Sequence, residues 1–119
     1  MNRGSLDGAE LDLSLRWQDE VAIVTAAGEI DLLTAPEWAE VVADAASSTP
    51  RLLVLDLTGV TFLSSAGLQV IASASQNPAV AATRVVAEAR AVTRAITLTG
   101  LDRWVPIHAH LDSALTRSP

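Results

Sequence analysis

The segment Leu52-Leu53-Val54-Leu55-Asp56-Leu57 is apolar at all but one position. Such a run fits a strand at the centre of a sheet, covered on both faces, rather than one with a wet side. The strand is expected over 51–57, launched by the stop at Ser47-Ser48-Thr49-Pro50. It leads through Phe62-Leu63 into Ser64-Ser65-Ala66-Gly67-Leu68, where a helix is expected from about Ser65 to Gln76, ended by Asn77-Pro78. Leu68, Ile71 and Ala72 have the spacing of its core face.

The flanking sequence supplies partners for this strand and covers for its faces. Leu11, Leu13, Leu15 and Trp17 alternate with polar residues up to Gln18-Asp19-Glu20, and Val21, Ile23 and Val24 open a second extended run; the pattern is an N-terminal hairpin. Thr34-Ala35-Pro36-Glu37 is a helix start with proline in the first turn, and Trp38, Val41, Val42 and Ala45 mark one helical face. Thr83–Ala87 reads as a fourth strand. A third helix follows over Arg90–Leu98, closed by Thr99-Gly100 with glycine suited to a left-handed cap. Trp104–His110 is expected as a last strand and Leu111–Arg117 as a final short helix or tail. The expectation is an α/β single domain: a mixed β-sheet with an N-terminal hairpin and packed α-helices. Residues 1–10 are expected as a loose N-terminal segment, 11–115 as the domain and 116–119 as a tail.

Charge and composition narrow the function. Fourteen acidic residues stand against eight arginines and no lysine, a net charge of -6, which disfavours nucleic acid and anionic membranes as partners and favours a protein. No apolar stretch is long enough to span a bilayer as a helix, and residues 1–10 lack the apolar core of a secretory signal; the expected location is the cytoplasm. The absence of cysteine removes disulfides, thiolate metal sites and cysteine nucleophiles.

No catalytic constellation emerges. Glycine-rich nucleotide fingerprints and a phosphate-loop lysine are missing. His108 and His110, two apart on the expected last strand, would share a face but lack a third metal ligand. Ser65 with a histidine and Asp31 would resemble a hydrolase triad only if the Gly-x-Ser-x-Gly elbow were present, and it is not. Asp56 follows an apolar strand as a receiver-domain phosphoaspartate would, but a receiver also needs an acidic pair after its first strand and a late lysine, and this chain has no lysine. Asp56 is expected to pair with backbone donors near the strand end.

What remains is the start of the helix after the central strand. Its unpaired N–H groups and the positive end of its dipole favour a phosphoryl group on a hydroxyl held there. Ser65 is the candidate, while Ser64 can simply cap the helix. Asp31, in the Gly28-Glu29-Ile30-Asp31 turn, would face Ser65 if both loops lay at the same sheet edge.

Two motifs resemble a known family, the STAS domain, and within it the single-domain anti-sigma factor antagonists of bacteria. Gly28-Glu29-Ile30-Asp31-Leu32-Leu33-Thr34-Ala35 is similar to the family's Gly-Glu-Leu-Asp segment. Val54-Leu55-Asp56-Leu57 through Phe62-Leu63-Ser64-Ser65-Ala66-Gly67-Leu68 is similar to its strand followed by Asp-Ser-Ser/Thr-Gly-Leu. A weaker echo is Ile96-Thr97-Leu98-Thr99-Gly100-Leu101. The resemblance spans residues 11–115. It implies that Ser65 is the phosphoacceptor, with Ser64 in place of the family aspartate and also the alternative acceptor, and Ala66 in place of the following Ser/Thr. It further implies a partner-binding patch of Asp31, Leu32, Thr34, Phe62, Ser64, Ser65, Ala66, Gly67 and Leu68. The implied partners are an anti-sigma factor that is also a serine kinase, bound when the chain is unphosphorylated, and a metal-dependent serine phosphatase; ATP and metal belong to those partners, and the chain itself needs no cofactor. Other roles open to a STAS domain are a module of a membrane transport or lipid-trafficking complex and a small-molecule or nucleotide sensor.

Overall fold

The computed structural model describes residues 11–116; the expectations for residues 1–10 and 117–119 lie outside the described residues. Five strands form one sheet in the order β1-β2-β3-β4-β5. The hairpin β1 (Leu11–Gln18) and β2 (Val21–Ile30) is antiparallel, and every later pairing is parallel. Between the parallel strands run α1 (Ala35–Ser47), α2 (Ser65–Ser75) and α3 (Arg90–Leu98), with β3 at Leu52–Leu63, β4 at Thr83–Val86, β5 at Ile107–His108 and α4 (Leu111–Thr116) last.

Side-chain alternation divides the core into two layers. Ala22, Val24, Ala26, Leu53, Leu55, Leu57 and Val85 face α1, α2 and α3, where Trp38, Val42, Ala45, Ile71, Ala74, Val92 and Ile96 meet them. The intervening residues Val21, Ile23, Leu52, Val54 and Val86 face Ala114 of α4, flanked by Leu111 and Leu115. The first half of β3 is therefore covered on both sides, which is why its sequence lacks alternation. Trp38, wholly buried, is the largest side chain in the core. Among the described residues its indole N–H has no hydrogen-bond partner. Buried Arg84 donates from Nη1 to the Ala114 carbonyl at 2.6 Å and ties α4 to β4.

The hairpin, the α1 start, the bounds of α3 and the left-handed Gly100 (φ 80°) agree with the sequence expectations. Three details differ. First, β3 continues six residues past the expected end at Leu57, because it carries one extra residue opposite β2 between the Thr25–Asp56 and Ala27–Gly59 pairs, and another between Gly28–Val60 and Glu29–Phe62. These bulges reset the alternation and return Val60 and Leu63 to the core. Second, the expected last strand shrinks to Ile107–His108, because Leu101–Arg103 form a 3-10 turn and Trp104 is exposed. Third, the buried face of α2 is Gly67, Ile71 and Ala74, with Leu68 and Ala72 only partly covered.

Candidate functional site

The C-terminal ends of β2 and β3 run side by side as far as the Ile30–Leu63 pair, and the Ser64 N–H then donates to the Ile30 carbonyl at 2.8 Å. This bond joins the β2–α1 loop to the β3–α2 junction, so the two motifs singled out in the sequence form one surface at one sheet edge.

On the β2–α1 side, polar groups are spent on the loop itself. The Asp31 Oδ1 accepts the Leu33 N–H at 2.9 Å and the Thr34 N–H at 3.0 Å. The buried Thr34 hydroxyl accepts the Asp31 N–H at 2.9 Å, donates to the Glu29 carbonyl at 2.8 Å and lies 3.1 Å from Asp31 Oδ1. The Ala35 N–H completes the turn by donating to the Asp31 carbonyl at 2.9 Å. Thr34 thus occupies the N-cap position of α1 without capping it by its side chain. The Thr34 N–H is the largest influence holding the Asp31 carboxyl below its usual range; with the Thr34 hydroxyl and Leu33 N–H it outweighs the desolvation acting the other way. Asp31 Oδ1 is thus engaged by its own loop. The loop leaves Leu32 and Leu33 projecting, 75% and 70% exposed.

On the β3–α2 side the two serines divide their work. Ser64, extended at φ -82° and ψ 175°, caps α2: its hydroxyl accepts the Gly67 N–H at 3.3 Å and its carbonyl accepts the Leu68 N–H at 3.0 Å. Ser65 opens the helix, is exposed, and its hydroxyl makes no hydrogen bond to another described residue. The N–H groups of Ser65 and Ala66 precede any intrahelical acceptor. A side chain at Gly67 would put its Cβ 2.5 Å from Leu63 Cδ1 and 2.8 Å from Ile30 Cγ2. Only glycine lets the first turn of α2 lie directly on the ends of β2 and β3.

Of the residues expected in the patch, Leu32, Phe62 and Ser65 are exposed, Asp31, Ser64, Ala66 and Leu68 are half-buried, and Thr34 and Gly67 are buried and act by shaping the loops. Leu33 belongs to the same surface and was not among the expected residues; the signal was an apolar pair following Asp31 that no helical face claims. Beside the patch, α1 and α2 enclose a groove of about 370 Å³, lined by Leu32, Pro36, Ala39, Ala66, Val70 and Ser73 among others. Elsewhere, Asp56 Oδ1 accepts the Thr58 N–H at 3.1 Å and its hydroxyl at 2.9 Å, the local pairing expected of it. His108 lies on β5, its pKa lowered by desolvation and by nearby Arg84, while His110 is exposed beyond the strand.

A STAS fold with its two loop motifs joined at one sheet edge is the class of protein this geometry defines. A family model described as the STAS domain matches residues 12–114, and the chain belongs to that family. It is 37% identical over 97 residues, 81% of this chain and 80% of the relative, to the anti-sigma-F factor antagonist RsfB of Mycobacterium tuberculosis. Among solved structures it is similar to an anti-sigma factor antagonist from Mycobacterium paratuberculosis, with TM-score 0.84, 34% identity, and coverage of 92% of this chain and 94% of the other. The antagonist SpoIIAA in its unphosphorylated form shares the fold at TM-score 0.71 and 14% identity, covering 87% and 93% of the two chains. No helix among the described residues is long and apolar enough to cross a membrane.

Proposed function

We propose that this chain is an anti-sigma factor antagonist: unphosphorylated, it binds an anti-sigma factor and so frees a sigma factor, and phosphorylation at Ser65 ends that binding. The observation that carries the reading is the division of labour between the serines. Ser64 is committed to the cap, whereas the Ser65 hydroxyl stands free at the first helical position beside exposed Leu32, Leu33 and Phe62. The relatives named as anti-sigma factor antagonists support the partner class. The chain acts by binding rather than catalysis, in the cytoplasm, and the kinase and the metal-dependent phosphatase are separate proteins.

The physics of the switch is electrostatic. A phosphoryl group adds roughly -1.5 to -2 charges at neutral pH. At the start of α2 the free N–H groups and the dipole favour that charge, so the fold tolerates it. A docked partner does not, since it would have to desolvate the phosphate among apolar side chains. The test is incubation with the cognate anti-sigma kinase and ATP, followed by peptide mapping, with affinities measured for Ser65→Ala and Ser65→Asp. Phosphate on Ser65, retained binding by Ser65→Ala and partial loss by Ser65→Asp are expected; modification solely at Ser64, or at no serine, overturns the assignment. The α1–α2 groove favours a second reading, a small-molecule sensor, which native mass spectrometry of the purified chain would detect as a retained ligand.

A further inference from the structure

We propose that β1 is a self-association edge, pairing antiparallel with β1 of a second copy about a two-fold axis at Ser14 and joining two sheets into one of ten strands. β1 hydrogen-bonds only to β2, leaving its other edge unpaired among the described residues. Sheet edges are usually guarded by charged side chains, lysine above all, or by proline, a bulge or short length; the charges on β1, Asp12 and Arg16, are of opposite sign and so can pair across a two-fold. β1 has eight residues, no lysine or proline, and an unbroken register with β2. Its helix-side face shows Leu15 at 36% and Trp17 at 43% exposure, with Leu13 half-buried.

Charge selects both the occupant and the register. On the opposite face stand Asp12, Ser14 and Arg16, all exposed. In an antiparallel pair centred on Ser14, Asp12 lies opposite Arg16 of the second copy and Arg16 opposite its Asp12. Leu13 then meets Leu15, and Leu11 meets Trp17. Moving the centre to Asp12 sets Asp12 against Asp12, and moving it to Arg16 sets Arg16 against Arg16; centres at Leu13 or Leu15 keep apolar opposite apolar but set Asp12 or Arg16 against Ser14 and so lose both Asp12–Arg16 pairs. A second copy of this chain therefore matches the edge in hydrophobicity in several registers, and of these the one centred on Ser14 also pairs Asp12 with Arg16 twice. The two-fold places the copies' Ser65 surfaces at opposite ends of the joined sheet, so self-pairing leaves both open.

The test is sedimentation of the full 119-residue chain over a micromolar to submillimolar range at 0.15 M salt, where the mutual repulsion of two acidic copies is largely screened. A concentration-dependent dimer is expected. Asp12→Arg and Arg16→Asp should each weaken it by about tenfold, because two attractive pairs become repulsive. The double variant Asp12→Arg/Arg16→Asp should recover most of the loss, which a general effect on folding would not do; thermal melts check each fold. As a register test, Ser14→Cys introduces the sole thiol of a cysteine-free chain. Across the axis the two residues 14 lie about 4.5–5.5 Å apart at Cα, within disulfide range, whereas two Gln18→Cys thiols would be held about 27 Å apart. Crosslinking at 14 and not at 18 is expected. A monomer at every concentration, no recovery in the double variant, or equal crosslinking at both positions overturns the proposal, whether residues 1–10 or another protein then cover the edge.

Discussion

The two helices that meet at the candidate site begin in opposite ways. The start of α1 is a closed polar circuit in which Asp31 and Thr34 satisfy the N–H groups of residues 31, 33 and 34 and the Glu29 carbonyl. The start of α2 uses one serine for its cap and leaves the next with a free hydroxyl. Groups that complete each other's hydrogen bonds hold a loop in shape, and a group left over beside them is available for chemistry. On the proposed reading, the contrast gives Asp31 and Thr34 the work of scaffold and Ser65 that of the reactive group.

Substitutions should rank by this division. Thr34→Val keeps the shape but strands the Asp31 N–H and the Glu29 carbonyl, at about 1–3 kcal/mol for each, and should show the largest drop in denaturant midpoint. Gly67→Ala forces Leu63 and Ile30 aside and should cost about 1–3 kcal/mol. Ser64→Ala loses the cap of α2, about 0.5–2 kcal/mol. Ser65→Ala should change stability by less than about 0.5 kcal/mol while abolishing phosphorylation. A Ser65→Ala variant as unstable as Ser64→Ala would break the comparison, since the spare hydroxyl would then be structural.

Acid titration sharpens the other half. Because the folded-state pKa of Asp31 lies below its unfolded value, its contribution is present above about pH 4 and fades as pH falls through the folded pKa. Asp31→Asn should therefore be less stable than the parent at neutral pH, with the gap closing in acid. Unfolding curves at a series of pH values measure it, and a gap that stays constant would mean that the carboxylate charge contributes nothing to the loop.

What could be read from the sequence was what depends on neighbours along the chain. The hairpin alternation, Pro36 in the first turn of α1, Ser64 as a cap and Gly100 as a left-handed stop are each local. What escaped depends on distant backbone. The extension of β3 rests on two extra residues accommodated against β2, which break the period-two pattern. Thr34 resembles a cap residue, yet its hydroxyl is drawn backward to a carbonyl at the end of β2. Leu33 has no periodic partner, and its place in the patch became visible only with the loop folded. The proximity of the two motifs was conditional in sequence and follows from the parallel pairing of β2 with β3.

The close seating of Gly67 on Leu63 and Ile30 bears on how fast such a switch can respond. A lid or hinge would impose its own relaxation, on the microsecond to millisecond scale or slower. Here the first turn of α2 rests on the sheet ends with no room for a side chain, and the neighbouring loop is bonded to the same junction. On the proposed reading the surface changes charge without changing shape, so its response time is that of the enzymes that add and remove the phosphoryl group, with no delay contributed by the fold.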